Sequence, residues 1–378
     1  MAAPANPLRR LSDSGQAPWL DYLRRDLFDG ELQTLIERDG VTGMTSNPSI
    51  FEKAIASGKY DAEIANLVKS RGAGISDVAI YETLAIADIQ HAADILRPVY
   101  DAKGGKDGFV SLEVSPLLAN DTDGTIAEAK RLWKAVARDN LMIKVPGTDA
   151  GIPAISALIA EGLNINITLL FSQASYHHTV EAYLSGLEAR LAKGQPLGRI
   201  ASVASFFVSR IDSMVDGEIE KKIAAKDKNA DALAALRGKF AIANAKLAYQ
   251  HYLLVTSGSR WKRLADAGAQ PQRLLWASTG TKNKAYSDVI YVDQLIGPDT
   301  VNTMPPATMD AYRDHGTVKE TLTDDLAGAR HVFETVPKLG VAIEPIMTHL
   351  VEDGVKQFAT AFDGLLGAVK TKRASKAA

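Results

Sequence analysis

The sequence predicts one parallel (β/α)8 barrel, a TIM barrel with extra helices, notably after the sixth strand. Three observations carry this. Eight short strand-like runs alternate with long helical stretches rich in Ala, Leu, Glu and Lys. The runs are apolar or β-branched through much of their length, as strands covered on both faces should be. The length, 378 residues, suits a single barrel with insertions, so residues 1–378 are read as one domain. A doubly wound sheet is the competing architecture, but neither G-x-G-x-x-G nor G-x-x-x-x-G-K-S/T occurs in the chain.

In chain order the strand-like runs are Trp19–Leu23, Val41–Asn47, Gly108–Ser115, Leu141–Gly147, Leu163–Phe171, Ile200–Ser209, Arg273–Thr279 and Asp299–Pro305. Helical segments between them include Asp61–Lys69, Asp77–Leu96, Thr125–Asp139, Ala150–Glu161 and Ser172–Lys193. The long connection Ile211–Gln270 reads as helices decorating the barrel, not as a second domain. The basic end, residues 372–378, is expected to be a disordered tail.

Charge is nearly balanced, with 43 Lys and Arg against 45 Asp and Glu. No nucleic-acid or membrane partner is expected on that basis, and an anionic substrate needs a local cluster of cations. No cysteine is present, which removes disulfides, thiolate nucleophiles and thiolate metal sites. The N-terminal stretch has no apolar core of a secretory signal and no run is long enough to span a membrane, so a cytoplasmic location is expected. The seven histidines form no H-E-x-x-H or H-x-H pattern. His177 and His178 are adjacent and read as structural, and no metal site is expected.

Polar groups inside buried strands are costly unless paired or used, and at the C-terminal strand ends of a barrel they face the mouth. Lys144, flanked by Met142, Ile143 and Val145, is the strongest case. Burial disfavours an ammonium and frees the amine to attack a carbonyl; the alternative is a lysine paired with a carboxylate for structure. Glu113, at the end of the strand preceding that of Lys144, and Asp21, in the first strand, are carboxylates that could face the same mouth. They are read either as acid/base groups or as a neutralising partner and a helix cap. Asn47, Asn166 and Thr168 suit a polyhydroxylated ligand, although Asn47 before Pro48 also fits a turn or cap. Asn164, earlier in its strand, is read as structural. Arg210 and Lys282 follow the sixth and seventh strands. They are either phosphate ligands or solvated surface cations. Ser205 lies within the sixth strand.

Five segments in this order resemble one known family. TSNPSIFEKAI (Thr45–Ile55), MIKVPGT (Met142–Thr148) and NINITLLFS (Asn164–Ser172) resemble the second-strand, Schiff-base lysine and fifth-strand motifs of transaldolases. WLDYL and SLEVSP match as well, and the resemblance runs from about Leu11 to Gly367, towards a longer bacterial subgroup. It implies that Lys144 forms an imine with a ketose and that Asp21 removes the C4 hydroxyl proton. It further implies that Glu113 shuttles protons through a water held by Thr168, and that Asn47, Asn166 and Ser205 orient hydroxyls. Arg210 resembles the phosphate-binding arginine. The chain departs from the smaller members after Ser278, where Thr279, Gly280, Thr281 and Lys282 stand and no second arginine occurs; Lys282 is the substitute considered.

The reaction so implied moves a dihydroxyacetone unit from sedoheptulose 7-phosphate to glyceraldehyde 3-phosphate, giving erythrose 4-phosphate and fructose 6-phosphate. The expected partners are phosphorylated ketoses and aldoses, with no cofactor. The alternatives are a fructose-6-phosphate aldolase-like lyase, a more distant deoxyribose-phosphate-type aldolase and a non-catalytic sugar-phosphate-binding barrel. The chain is expected to be a monomer or a homodimer.

Overall fold

The computed structural model describes residues 6–72 and 74–377. The strands are β1 (Gln16–Asp21), β2 (Gly43–Thr45), β3 (Phe109–Glu113), β4 (Leu141–Pro146), β5 (Ile165–Leu170), β6 (Ser202–Phe207), β7 (Arg273–Ala277) and β8 (Thr300–Met304). Each pairs in parallel with its sequence neighbour, and β1 also pairs with β8, so the sheet closes on itself. Every expected run overlaps one strand. β4, β5 and β6 are buried at every position, which is why their sequences lack alternation.

The first strand begins three residues earlier than expected. Gln16, Ala17 and Pro18 are poor strand formers, but pairing with Thr300, Val301 and Asn302 overrides that preference. Gln16 is buried there because its amide donates to the Leu295 carbonyl (2.6 Å) and to Thr300 Oγ1 (2.9 Å). Gly43 in β2 lies against the indole of Trp19: a Cβ at 43 would come within 2.4 Å of that ring. The close approach lets Trp19 fill the barrel wall and donate from Nε1 to Asp107.

The segment after Ile211 forms helices outside the barrel, chiefly Ser209–Ala224, Phe240–Ser257 and Ser259–Asp266. The middle one packs on the helix Leu326–Lys338, where Phe240 and Phe333 stack with ring centroids 5.4 Å apart. The last helix runs from Ile343 to Ala377 and crosses the mouth side of the barrel, touching β5 and the helices Pro48–Ala56 and Asp61–Arg71. It therefore includes most of the basic end expected to be disordered. The physical reason is pairing: Lys372 meets Asp61 at 2.8 Å and Arg373 meets Asp77 at 3.1 Å. The final residue, 378, and residues 1–5 of the N-terminal stretch lie outside the described residues.

Candidate active site

Barrel register gathers the strand-end polar groups. Glu113, Lys144 and Asn166 are successive register partners on β3, β4 and β5, so their side chains lie side by side in one layer. Lys144 is 6% exposed and Glu113 9%. Lys144 Nζ donates to the Ser46 carbonyl at 3.2 Å and stands 3.6 Å from Glu113 Oε2. The ring of Phe358, from the C-terminal helix, lies 5.7 Å from the same nitrogen.

Burial pushes the Glu113 carboxyl above its ordinary range, against the pull of Lys144, and the charge of Asp21 adds to the rise. Neither Glu113 oxygen has a hydrogen-bond partner among the described residues. Thr168 Oγ1, two residues beyond Asn166 on the same face of β5, is also buried without a partner among the described residues. Just past Thr168 the strand bulges, with Leu169 at φ +62°.

Asp21 ends β1. Thr45 Oγ1 donates to its Oδ1 at 2.7 Å, and Thr303 Oγ1 lies 2.8 Å from Thr45 Oγ1. Because the one Thr45 hydroxyl proton goes to Asp21, Thr303 is the donor in that second bond. Asp21 is therefore held by a hydroxyl chain and is no helix cap. Burial raises its carboxyl above the ordinary range, while the charges of Lys144, Arg210 and Lys282 oppose the rise.

Ser205 Oγ donates to Asn166 Oδ1 (2.7 Å), and Asn166 Nδ2 donates to Ser111 Oγ (3.0 Å). This line of neutral groups crosses the floor beside Lys144. Asn164 is a strand clamp, bound to the Asp139 and Leu141 carbonyls and to the Ala201 N–H. Asn47 caps the helix Pro48–Ala56 by accepting from Ile50 N–H at 3.0 Å. The capping alternative is thus realised, and only its amide nitrogen is left to meet a ligand.

Arg210 is half-buried at the start of the helix after β6. Its guanidinium lies 5.4 Å from the Phe207 ring, and buried Nη1 has no partner among the described residues. Burial lowers its ordinary pKa, but an arginine stays charged. Such a charged fork of unpaired donors suits a phosphate. Ser278 follows β7 at φ +55° and shares a 3.0 Å hydrogen bond with Ser209 Oγ. Lys282 is exposed, although its charge reaches Asp21. His177 stacks on His251 with ring centroids 3.7 Å apart, between two helices on the barrel exterior.

Sequence reasoning did not single out Ser46, Ser111, Thr45, Thr303 or Phe358. Ser111 carried a usable signal, since it shares the face of Glu113 at a spacing of two on a buried strand. Ser46 acts through its backbone carbonyl, and Phe358 reaches the site from a distant helix; neither leaves a mark in sequence.

A family model described as Transaldolase/Fructose-6-phosphate aldolase matches residues 18–369. Transaldolase 2 of Nostoc sp. (strain PCC 7120) is 49% identical over 374 residues, covering 97% of each chain. Transaldolase of Trichodesmium erythraeum is 48% identical over 373 residues, again covering 97% of both. Transaldolase 1 of Streptomyces avermitilis is 48% identical over 374 residues, covering 98% of this chain and 97% of that protein.

Proposed function

Because the chain belongs to the transaldolase/fructose-6-phosphate aldolase family, we propose that it transfers a dihydroxyacetone unit between phosphorylated sugars through an imine on Lys144. The observation that carries this reading is the buried amine of Lys144, flanked by Glu113 on β3 and by the Asn166 line on β5, with Asp21 acting on the same charges.

Sedoheptulose 7-phosphate binds with its phosphate on Arg210 and Lys282 and its hydroxyls on Asn47, Asn166 and Ser205. The amine of Lys144 adds to the C2 carbonyl. The C2 oxygen leaves as water, taking its proton from Glu113 through a water held by Thr168, and the protonated imine becomes an electron sink. Asp21 accepts the C4 hydroxyl proton. The C3–C4 bond breaks, its electron pair passes into the imine as an enamine, and erythrose 4-phosphate departs. The enamine then attacks glyceraldehyde 3-phosphate, Asp21 returns the proton, and water releases fructose 6-phosphate. Asp21 needs no large movement, because the Thr303–Thr45 hydroxyl chain fixes it. A cytoplasmic location goes with this reading, since the charge of phosphorylated sugars confines them to the cell interior.

The test is mass spectrometry after incubation with fructose 6-phosphate and borohydride. A reduced three-carbon adduct on Lys144 is expected. An adduct on another lysine, or none in folded protein, removes the reading. Omitting the acceptor separates transfer from simple lysis: rapid release of free dihydroxyacetone would make the chain an aldolase.

A further inference from the structure

A second cavity, of about 470 Å3, opens at the N-terminal end of the barrel, opposite the mouth. Gln16, Ser202 and Arg273, the first residues of β1, β6 and β7, line it. Three side chains form its roof. Trp19 comes from β1, Asp107 from the turn before β3, and Arg273 from β7. These strands are not neighbours in the sheet, so the three meet only across the barrel interior. Asp107 Oδ1 accepts from Trp19 Nε1 (2.9 Å), from Gly108 N–H (3.1 Å) and from Arg273 Nη2 (3.3 Å). The Arg273 guanidinium lies 5.9 Å from the Trp19 ring. Trp19 is two residues before Asp21, so this roof is one layer beneath the site at the mouth and separates the two cavities.

The lining carries a surplus of positive charge. Lys103, Lys106 and Arg273 stand there with Asp107 and Asp299. Both lysines are exposed at the entrance, and neither forms an ion pair among the described residues. Arg273 is the inner cation, its side chain 16% exposed. It spends only Nη2, and on an oxygen that already takes two shorter bonds; its Nε and Nη1 have no partner among the described residues. A guanidinium held inside a barrel with much of its fork open suits an oxyanion, whose oxygens replace the water it has lost. The entrance is fixed by Gln270, which is 9% exposed: its Nε2 donates to the carbonyls of Gly198 (2.8 Å) and Gly105 (3.3 Å) and ties two loops of the rim together.

We propose that this N-terminal cavity binds a phosphate group, free or on a small phosphorylated metabolite, with the open edge of Arg273 inside and Lys103 and Lys106 at the entrance. The volume lies in the usual range of small-ligand sites, about 300–1,000 Å3, and leaves room for a short carbon chain. The site is distinct from the phosphate contacts assigned to the mouth, because Arg210 and Lys282 follow the C-terminal ends of β6 and β7 whereas Arg273 begins β7.

The test is calorimetric titration of the full chain with glycerol 3-phosphate and, separately, with inorganic phosphate; neither offers Lys144 a carbonyl. Arg210→Ala removes the main phosphate contact at the mouth, and one glycerol 3-phosphate per chain should still bind that variant. Adding Arg273→Met should weaken this binding by about 10–150-fold, the worth of a hydrogen bond to a charged group. Adding Lys103→Ala and Lys106→Ala instead should weaken it a few-fold, as expected of exposed charges. If Arg273→Met does not fold, the lysine pair decides alone. Tighter binding of glycerol 3-phosphate than of inorganic phosphate makes a metabolite the source, and the reverse makes it the free ion; either keeps the site. No binding to Arg210→Ala, or binding that neither further change weakens, would overturn it. The imine reading is judged separately, by trapping on Lys144.

Discussion

Glu113 Oε2 stands 3.6 Å from Lys144 Nζ because the two residues are register partners on β3 and β4 and share one buried layer. In the proposed reaction the pair is more than neutralisation. A structural partner would be expected to fill its hydrogen bonds, whereas both Glu113 oxygens are left free of tight partners. Glu113→Gln keeps the shape and removes the exchangeable proton. Imine formation, followed by rapid-quench borohydride trapping, should slow by about 10²–10⁴-fold, the usual worth of a positioned acid/base group. Trapping at the wild-type rate would leave Glu113 with a structural role only.

Asp21→Asn should uncouple the steps in the opposite order. The amide still accepts from Thr45, so the imine forms, but no base remains for the C4 hydroxyl. Single-turnover release of erythrose 4-phosphate should fall by at least about 10²-fold while trapping on Lys144 persists. The pH profile gives a second readout. Burial raises the Asp21 carboxyl above its ordinary 3.8, so the acid limb of kcat should lie above that value and vanish in the variant. Undiminished cleavage in Asp21→Asn would assign the base elsewhere.

The barrel was legible in sequence because parallel strands are buried on both faces and leave uninterrupted apolar runs. Lys144, Glu113 and Asn166 were legible for the same reason: each breaks such a run. What remained hidden is what acts across the chain. Asn47 was open between ligand and cap because both uses want an exposed amide oxygen, and the Ile50 N–H claims it. The strand-like start at Gln16 was invisible because its stabilising partners, Leu295 and Thr300, lie at the other end of the sequence. The basic end looked poor in apolar residues, yet Asp61 and Asp77 hold it in a helix. Ser278 and Lys282 gain less from the structure: one hydroxyl bonds Ser209, and the other side chain is exposed.

Arg210 and Lys282 differ in setting, and this fixes the size of the expected effects. Arg210 is half-buried with Nη1 unpaired, whereas Lys282 is screened by water. A hydrogen bond to a charged group is worth about 1.5–3 kcal/mol, so Arg210→Ala should lower kcat/KM for fructose 6-phosphate by about 10–150-fold. Lys282→Ala should cost only a few-fold, about 1 kcal/mol or less. Neither should change whatever turnover is measured with unphosphorylated fructose. Equal losses on the two sugars would mean that Arg210 supports the fold and not the phosphate.

Asp212, two residues beyond Arg210, gives a stability prediction independent of substrate. It is 1% exposed and accepts from Ala241 N–H (2.8 Å) and from Tyr291 Oη (2.9 Å), tying the helix Ser209–Ala224 to the outer helices. Burial, with Asp216 nearby, pushes its carboxyl up to about 7 from the ordinary 3.8. The folded state therefore holds a proton that the unfolded chain has already released. Between about pH 4 and pH 7 the folded form binds more protons, so this group makes stability fall as pH rises, and above pH 7 the whole cost is present. At 1.36 kcal/mol per pH unit that cost is at most about 4 kcal/mol. Asp212→Asn removes the charge and keeps both bonds, since its amide oxygen accepts from Ala241 and its nitrogen donates to Tyr291 Oη. Thermal melts from pH 5 to 8 should then show the variant gaining on the wild type with rising pH, by several degrees in Tm at pH 8 and little at pH 5. A gap that stays constant across that range would mean that Asp212 does not change charge there.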